Sequence, residues 1–226
     1  MTAVTILGLA LGMRHGTDPD HLAAIDGLTR IRPRSMNGVY FALGHGIIVI
    51  LLAVGIGHLL AARFAFLGPW ILMLIGALNL LRLLRPYHEP TRHQRPIIAQ
   101  PVLLGMLLAA GFETSSQLSA LILAGQTNPW LLGAAFAGGM ILVDGADGVL
   151  ASSTQRLARA GSRAAKTASR ALGIMVVIFA FGLGSAELIG VELSRIAFPL
   201  GLTMFAIVVA MRSWARLSGS QPVPTR

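Results

Sequence analysis

Residues 12–27 read GMRHGTDPDHLAAIDG, Gly12 to Gly27, with two histidines, three aspartates and an arginine set into a run that is otherwise apolar enough to cross a bilayer. On an ideal helix His15, Asp18 and His21 share one face and Asp20 points elsewhere, while His15 and His21 lie about 9 Å apart along the axis. Two imidazoles that share one ion from a regular helix sit four residues apart, about 6 Å, so one ion held by both histidines requires a distorted helix. Pro19 supplies the cause: it has no N–H for the His15 carbonyl and its ring crowds the preceding turn. Gly16 adds freedom beside it. Unwound backbone at membrane depth is tolerated only where it is buried in protein or lines a cavity, so the stretch reads as a break built around something polar.

The rest of the chain sets the context. Of 226 residues, 54% are hydrophobic and 12% charged, against about 25% charged in soluble domains. The apolar runs are continuous, without the alternation of a transmembrane β-barrel strand. The fold class is therefore an all-α integral membrane protein. Seven segments are expected, near residues 3–28, 36–61, 64–84, 98–124, 129–152, 171–189 and 196–212. Residues 1–214 read as a single polytopic domain and 215–226 as a short disordered cytoplasmic tail. No basic region precedes the first apolar run, so no cleaved signal peptide is expected. The chain has no cysteine, which excludes disulfides, thiolate metal sites and cysteine nucleophiles.

The formal charge of +9 would point to nucleic acid in a soluble protein, but the cations are distributed as orienting charges. With the N-terminus outside, the inner loops and tail hold Arg30, Arg32, Arg34, Arg82, Arg85, Arg92, Arg95, Arg156, Arg159, Arg163, Lys166, Arg170, Arg212, Arg216 and Arg226. Only Arg63 and Arg195 fall outside, with Arg14 inside the first segment. That bias predicts seven spans with N-out, C-in topology and no nucleic-acid partner. Segments one to three and four to six are further read as an inverted repeat plus one helix, because segments one and four both carry a polar cluster and segments two and five carry LGHG and VDGADG.

Ionisable groups inside spans cost about 2.5–3.5 kcal/mol each on insertion scales and mark function by default. At mid-depth these are His15, Asp18, Asp20, His21, His45, Glu113, Asp144 and Asp147. His58, Glu187 and Glu192 lie near outer ends, and His88 and His93 fall in a basic loop. GFETSSQ adds Glu113, Thr114, Ser115, Ser116 and Gln117; Asp144 and Asp147 stand one turn apart, at an exit path or as caps of a helix break at the neighbouring glycines. Imidazole with carboxylate suits Ni, Co, Zn or Cu(II), and ligand type alone does not select among them. Met13, Met106 and Met140 leave a softer ion open. The competing reading makes His15 and Asp18 polar glue, paired with Arg14 and Glu113.

Four motifs in order resemble the nickel/cobalt transporter family. RHGTDPDH is similar to its H-x4-D-H signature, here His15, Asp20 and His21; LGHGIIV is similar to LGHS followed by aliphatics, GFETSSQ to GFDTATE, and GMILVDGADG to GMxLMDTxDG. Glu113, Gln117 and Gly145 depart from that pattern, and typical members are longer, with eight spans. The resemblance implies a secondary transporter of the cytoplasmic membrane that takes up Ni²⁺ or Co²⁺ as substrate, with no resident cofactor. It implies binding by His15, Asp20 and His21, with His45 and Glu113 near the path; the intramembrane polar residues themselves add Asp18 to the metal site and Arg14, Thr114, Ser115, Asp144 and Asp147 to the path. The bilayer and the ion are the expected partners, and homo-oligomerisation is compatible with the sequence. An exporter or sensor of the same superfamily is the alternative. An acyltransferase using H-x4-D would leave His21 and the other buried acids unused, and no P-loop for ATP is present.

Overall fold

The computed structural model describes residues 3–55, 66–84, 101–111, 128–191 and 194–219. These form eight helices: α1 Ala3–His15, α2 Pro19–Ile31, α3 Asn37–Ala53, α4 Leu67–Leu84, α5 Pro101–Gly111, α6 Pro129–Arg159, α7 Arg163–Leu188 and α8 Ser194–Gly219. No strand occurs among the described residues. α4, α6, α7 and a stretch of α8 are each long and apolar enough to cross a membrane.

The first apolar segment is two helices rather than one. α1 and α2 are 13 residues each, about 20 Å of helix, so neither alone spans a hydrocarbon core of about 30 Å. Together, joined at Gly16–Asp18, they carry enough helix to do so. Pro19 stands at the first position of α2, where its missing N–H costs nothing and its φ is already helical. The same residue that could not continue α1 starts α2. α6, by contrast, runs unbroken from Pro129 through VDGADG to Arg159, so neither Asp144 nor Asp147 caps a break. Asn128 opens α6 by accepting from the Trp130 N–H at 3.0 Å, and α8 continues past Arg212 to Gly219.

Glycines set how closely the helices approach, as is common where helices associate in lipid. A Cβ on Gly12 would overlap the Phe136 carbonyl, and one on Gly139 would overlap that of Leu9. The α3–α5 pair repeats this arrangement, with Gly105 against the Phe41 carbonyl and Gly44 against that of Val102. α3 and α6 meet through Gly38 on the Asp144 carbonyl, with Gly133 on Ile50 at the other end. α4 and α7 meet through Gly76 on Ala180 and Gly184 on Met73. Contacts at two heights run α1, α2, α6 and α8 in one direction and α3 in the other: Gly8 and Gly16 meet Leu132 and Val143, His21 and Arg30 meet Asp144 and Arg159, Gly201 and Arg212 meet Thr17 and Asp26, and Gly38 and Ile50 meet Asp144 and Gly133. They also bring Arg30, Arg156, Arg159 and Arg216 to one end, where Arg156 donates to the Pro33 carbonyl and Arg159 to that of Arg30.

The apolar core is centred on α2: Leu22, Ala23, Ala24, Ile25 and Leu28 pack with Phe41, Leu72, Leu104, Leu172, Val176 and Val208. Ten of the 13 residues of α2 are buried. α2 is thus held inside the bundle, and its polar residues have protein, not lipid, around them.

Candidate metal centre

The α1–α2 break places His15 at the last position of α1 and His21 in the first turn of α2, and turns their rings toward each other. Their centroids are 4.7 Å apart, a separation that a straight helix could not give. Three backbone bonds form the corner: Gly16 N–H to Gly12 O, Thr17 N–H to Arg14 O and Asp18 N–H to His15 O, 2.9–3.0 Å. The Thr17 hydroxyl also donates to the Arg14 carbonyl at 2.6 Å. Asp18 holds the N-cap position of α2 in extended conformation but makes no cap bond with its side chain. That carboxylate is directed to His15 instead, accepting from Nδ1 at 2.8 Å.

His45, from the middle of α3, completes the group. Its centroid lies 5.2 Å from that of His15 and 4.5 Å from that of His21. One ring nitrogen from each of His15, His21 and His45 lies within 4.8 Å of the others, and all three residues are buried. His15 Nε2 and His45 Nε2 face each other at 3.3 Å. Gly44, next to His45, is one of the close-approach glycines, and Gly105 reaches the His45 backbone N. The α3–α5 packing therefore fixes the height of this imidazole. Phe41 meets the His21 ring edge-on at 5.1 Å and Phe136 tilts against His15 at 5.6 Å, closing the flanks with apolar surface.

An ionised carboxylate only accepts, so the ring nitrogen facing it is assigned the proton. His15 donates from Nδ1 to Asp18, and His21 donates from Nδ1 to Asp144 Oδ2 at 3.0 Å. A neutral imidazole that donates from Nδ1 keeps a bare lone pair on Nε2. His21 Nε2 is buried with no partner, as are His45 Nδ1, Asp18 Oδ1 and Asp144 Oδ1. Buried polar atoms without partners cost about 1–3 kcal/mol each, so a concentration of them around one point describes a place that a cation would satisfy. Carboxylate-oriented imidazoles are also the usual outer arrangement of metal-bound histidines. A tetrahedral ion about 2.0–2.1 Å from each nitrogen sets the nitrogens about 3.4 Å apart, so rings whose nitrogens lie within 4.8 Å of one another draw together by up to about 1.4 Å to share it.

The other expected residues fall in different places. Asp20 is buried in the first turn of α2 but does not join the three-imidazole group. Arg14 is the last residue but one of α1 and contributes its carbonyl to the corner. Asp144 lies against His21, whereas Asp147, one turn further along α6, forms an ion pair with Arg212. Glu113, Thr114, Ser115, Ser116 and Gln117, and with them His58, His88, His93 and Glu192, lie outside the described residues.

Sequence reasoning missed a second buried constellation. Arg212, 1% exposed, bonds to Asp147 and reaches Asp26 at 3.2 Å. Asp26 also holds Arg30 at 2.5 Å, and Arg30 continues to Ser169, whose hydroxyl donates to Gln155. The signal was available: Arg212 closes an apolar run, FAIVVAM, and had been counted as an orienting charge.

A family model described as high-affinity nickel-transport protein matches residues 1–84. The hydrogenase nickel incorporation protein HupN of Bradyrhizobium diazoefficiens is 30% identical over 217 residues, covering 69% of this chain and 56% of its own. The nickel transporter NixA of Staphylococcus aureus is 29% identical over 203 residues, covering 64% and 60%. The cobalt transport protein NhlF of Rhodococcus rhodochrous is 44% identical over a shorter stretch of 55 residues, 22% of this chain and 15% of its own. The chain thus spans somewhat over half the length of the longer-matching relatives, and no solved structure matches it. With the family model falling on the helices that carry His15, His21 and His45, the chain belongs to the nickel/cobalt transporter family.

Proposed function

We propose that this protein is a secondary transporter that takes up divalent transition-metal ions, Ni²⁺ or Co²⁺, across the cytoplasmic membrane of a bacterium. The observation that carries the reading is the convergence of His15, His21 and His45 at the α1–α2 break, two of them with carboxylates behind the ring. In this mechanism the ion sheds water and is taken by the three Nε2 atoms, with the proton between His15 and His45 displaced on binding. Asp18 and Asp144 keep the ring orientations and offset part of the 2+ charge. Asp20 contributes a further negative charge at the break, where the N-terminal end of α2 would otherwise repel a cation. Inward movement is favoured by a negative-inside potential, about 2.3 kcal/mol per charge per 100 mV.

The reading includes seven spans with N-out, C-in topology, and is supported by α1–α2, α6 and α8 running in the same direction and ending together at the arginine-rich face. An inverted repeat of α1–α4 and α5–α7, with α8 added, is supported by the matched glycine contacts of α1 on α6 and α5 on α3. The site then lies near the midplane, at the junction of the two halves, as in other repeat transporters. Accumulation of Ni²⁺ and Co²⁺ in cells expressing wild type, His15→Ala and His45→Ala tests the proposal. Import requires accumulation above empty vector that both variants lose; accumulation below empty vector would make the protein an exporter, and equal accumulation in all three would overturn the site.

A further inference from the structure

Beyond the imidazole cluster, the polar interior continues toward the arginine-rich end. Asp144 touches His21, and one turn further on the same face of α6 stands Asp147. Asp26 follows His21 on α2 by about 7.5 Å of rise. Between these two carboxylates sits the guanidinium of Arg212, which donates from Nη1 to Asp147 and to the Asp147 backbone carbonyl, and from Nη2 to Asp26 Oδ1. All three residues are almost completely buried: Asp147 and Arg212 are 1% exposed and Asp26 2%.

As a structural ion pair this arrangement is balanced in charge but incompletely bonded. Asp26 already has a cation in Arg30. Asp147 Oδ2 is buried with no donor, Asp144 Oδ1 likewise, and Arg212 Nε has no acceptor. A buried pair is retained at a desolvation cost that apolar residues would avoid, and a switching role is the better attested reason for keeping one. Arg212 also arrives on α8, whose interior Pro199 removes a backbone hydrogen bond. Two residues beyond it, Gly201 lies so close to the α1–α2 break that an added Cβ would be 3.1 Å from the Thr17 carbonyl oxygen and 3.4 Å from Asp18. One helix therefore touches the imidazole site at its Gly201 end and fills the carboxylates at its Arg212 end.

We propose that Asp147, with its own carbonyl and Asp26, forms a second divalent-cation station on the route from the imidazole cluster to the arginine-rich face, and that Arg212 is a tethered cation which fills the station until the travelling ion displaces it. This rests on the reading of the cluster as a transport site. The chemistry suits a transit point: the ligands are all oxygen, which hold late first-row dications less firmly than imidazole does. An ion stepping from nitrogen to oxygen is thus nearer release. The guanidinium keeps two buried carboxylates neutralised when no ion is passing, and its return closes the way behind the departing ion.

Equilibrium dialysis of Ni²⁺ against the purified full chain in detergent tests the station by counting bound ions. Arg212→Gln is expected to hold one equivalent more than wild type, and Arg212→Gln with Asp147→Asn to lose that extra equivalent. The difference is read relative to wild type, so it does not depend on what the imidazole cluster binds. Wild type without bound Ni²⁺ would overturn the proposed transport site, while the gain in Arg212→Gln would still support the station. A monodisperse Arg212→Gln protein with no gain overturns the station, since a purely structural ion pair frees no metal site. Should Arg212→Gln not fold, Arg212→Lys keeps a positive charge that reaches only one carboxylate. It is expected to admit the extra ion at higher Ni²⁺ concentration, and no extra ion up to millimolar Ni²⁺ overturns the inference.

Discussion

Two buried polar regions share α2 and α6 and differ in one respect. Around the α1–α2 break, His15, His21 and His45 face one another, with carboxylates behind His15 and His21. Further along the same helices, Asp26 and Asp147 face a guanidinium supplied by α8. Both are buried, and both are costly to bury. The second is balanced by the protein itself, whereas the first keeps bare nitrogen lone pairs and unpartnered carboxylate oxygens. On the proposed reading a cation from outside would complete the first, and would compete with Arg212 for the second.

The largest effect expected from disturbing this contrast is at the self-balanced end. Arg212→Ala leaves Asp26 and Asp147 facing an empty place, and breaking a buried pair by removing one partner costs about 3–5 kcal/mol. Denaturant unfolding in detergent should show that loss, and Asp147→Asn in the same chain should recover part of it. No loss of stability would mean that the arginine is not what neutralises these acids.

At the imidazole end, stability should change far less and metal handling far more. His45→Ala removes one of three ligands and is expected to lower Ni²⁺ uptake at least about 100-fold, about 2.7 kcal/mol in binding terms. An unchanged initial rate of radioactive nickel uptake would remove His45 from the site. Asp144→Asn keeps the shape but weakens the hold on the His21 tautomer, and outer-shell changes of this kind cost about 10–100-fold in affinity. Calorimetry on the purified variant measures it. Asp20→Asn, which acts through charge and lies outside the imidazole group, should weaken binding by less than about tenfold, under 1.4 kcal/mol. A loss as large as that of His45→Ala would make Asp20 a direct ligand.

Much of this was legible in the chain itself. Hydropathy and the placement of arginines marked a helical membrane protein, and Pro19 between two histidines marked the break that the structure has at Gly16–Asp18. His45 was visible only as a lone histidine in LGHG, because nothing in sequence spacing says that residue 45 stands beside residue 15. Asp144 and Asp147, one turn apart in one motif, looked alike. α6 stays continuous through both, and their separate partners, His21 and Arg212, decide how they differ. Arg212 was misread for a physical reason: a cation at the end of an apolar run is orienting charge when it faces the interface and a buried counter-ion when it faces two carboxylates.

The sequence by itself determined the solvent of the fold, the positions where helices break, and the kinds of ligand atom available, since each depends on local composition or backbone chemistry. Which of those atoms meet was decided by tertiary structure alone. Glycine contacts between α1, α3, α5 and α6 set helix heights to within a fraction of a turn. At that scale one turn separates a nitrogen that can share an ion from a carboxylate already taken by arginine.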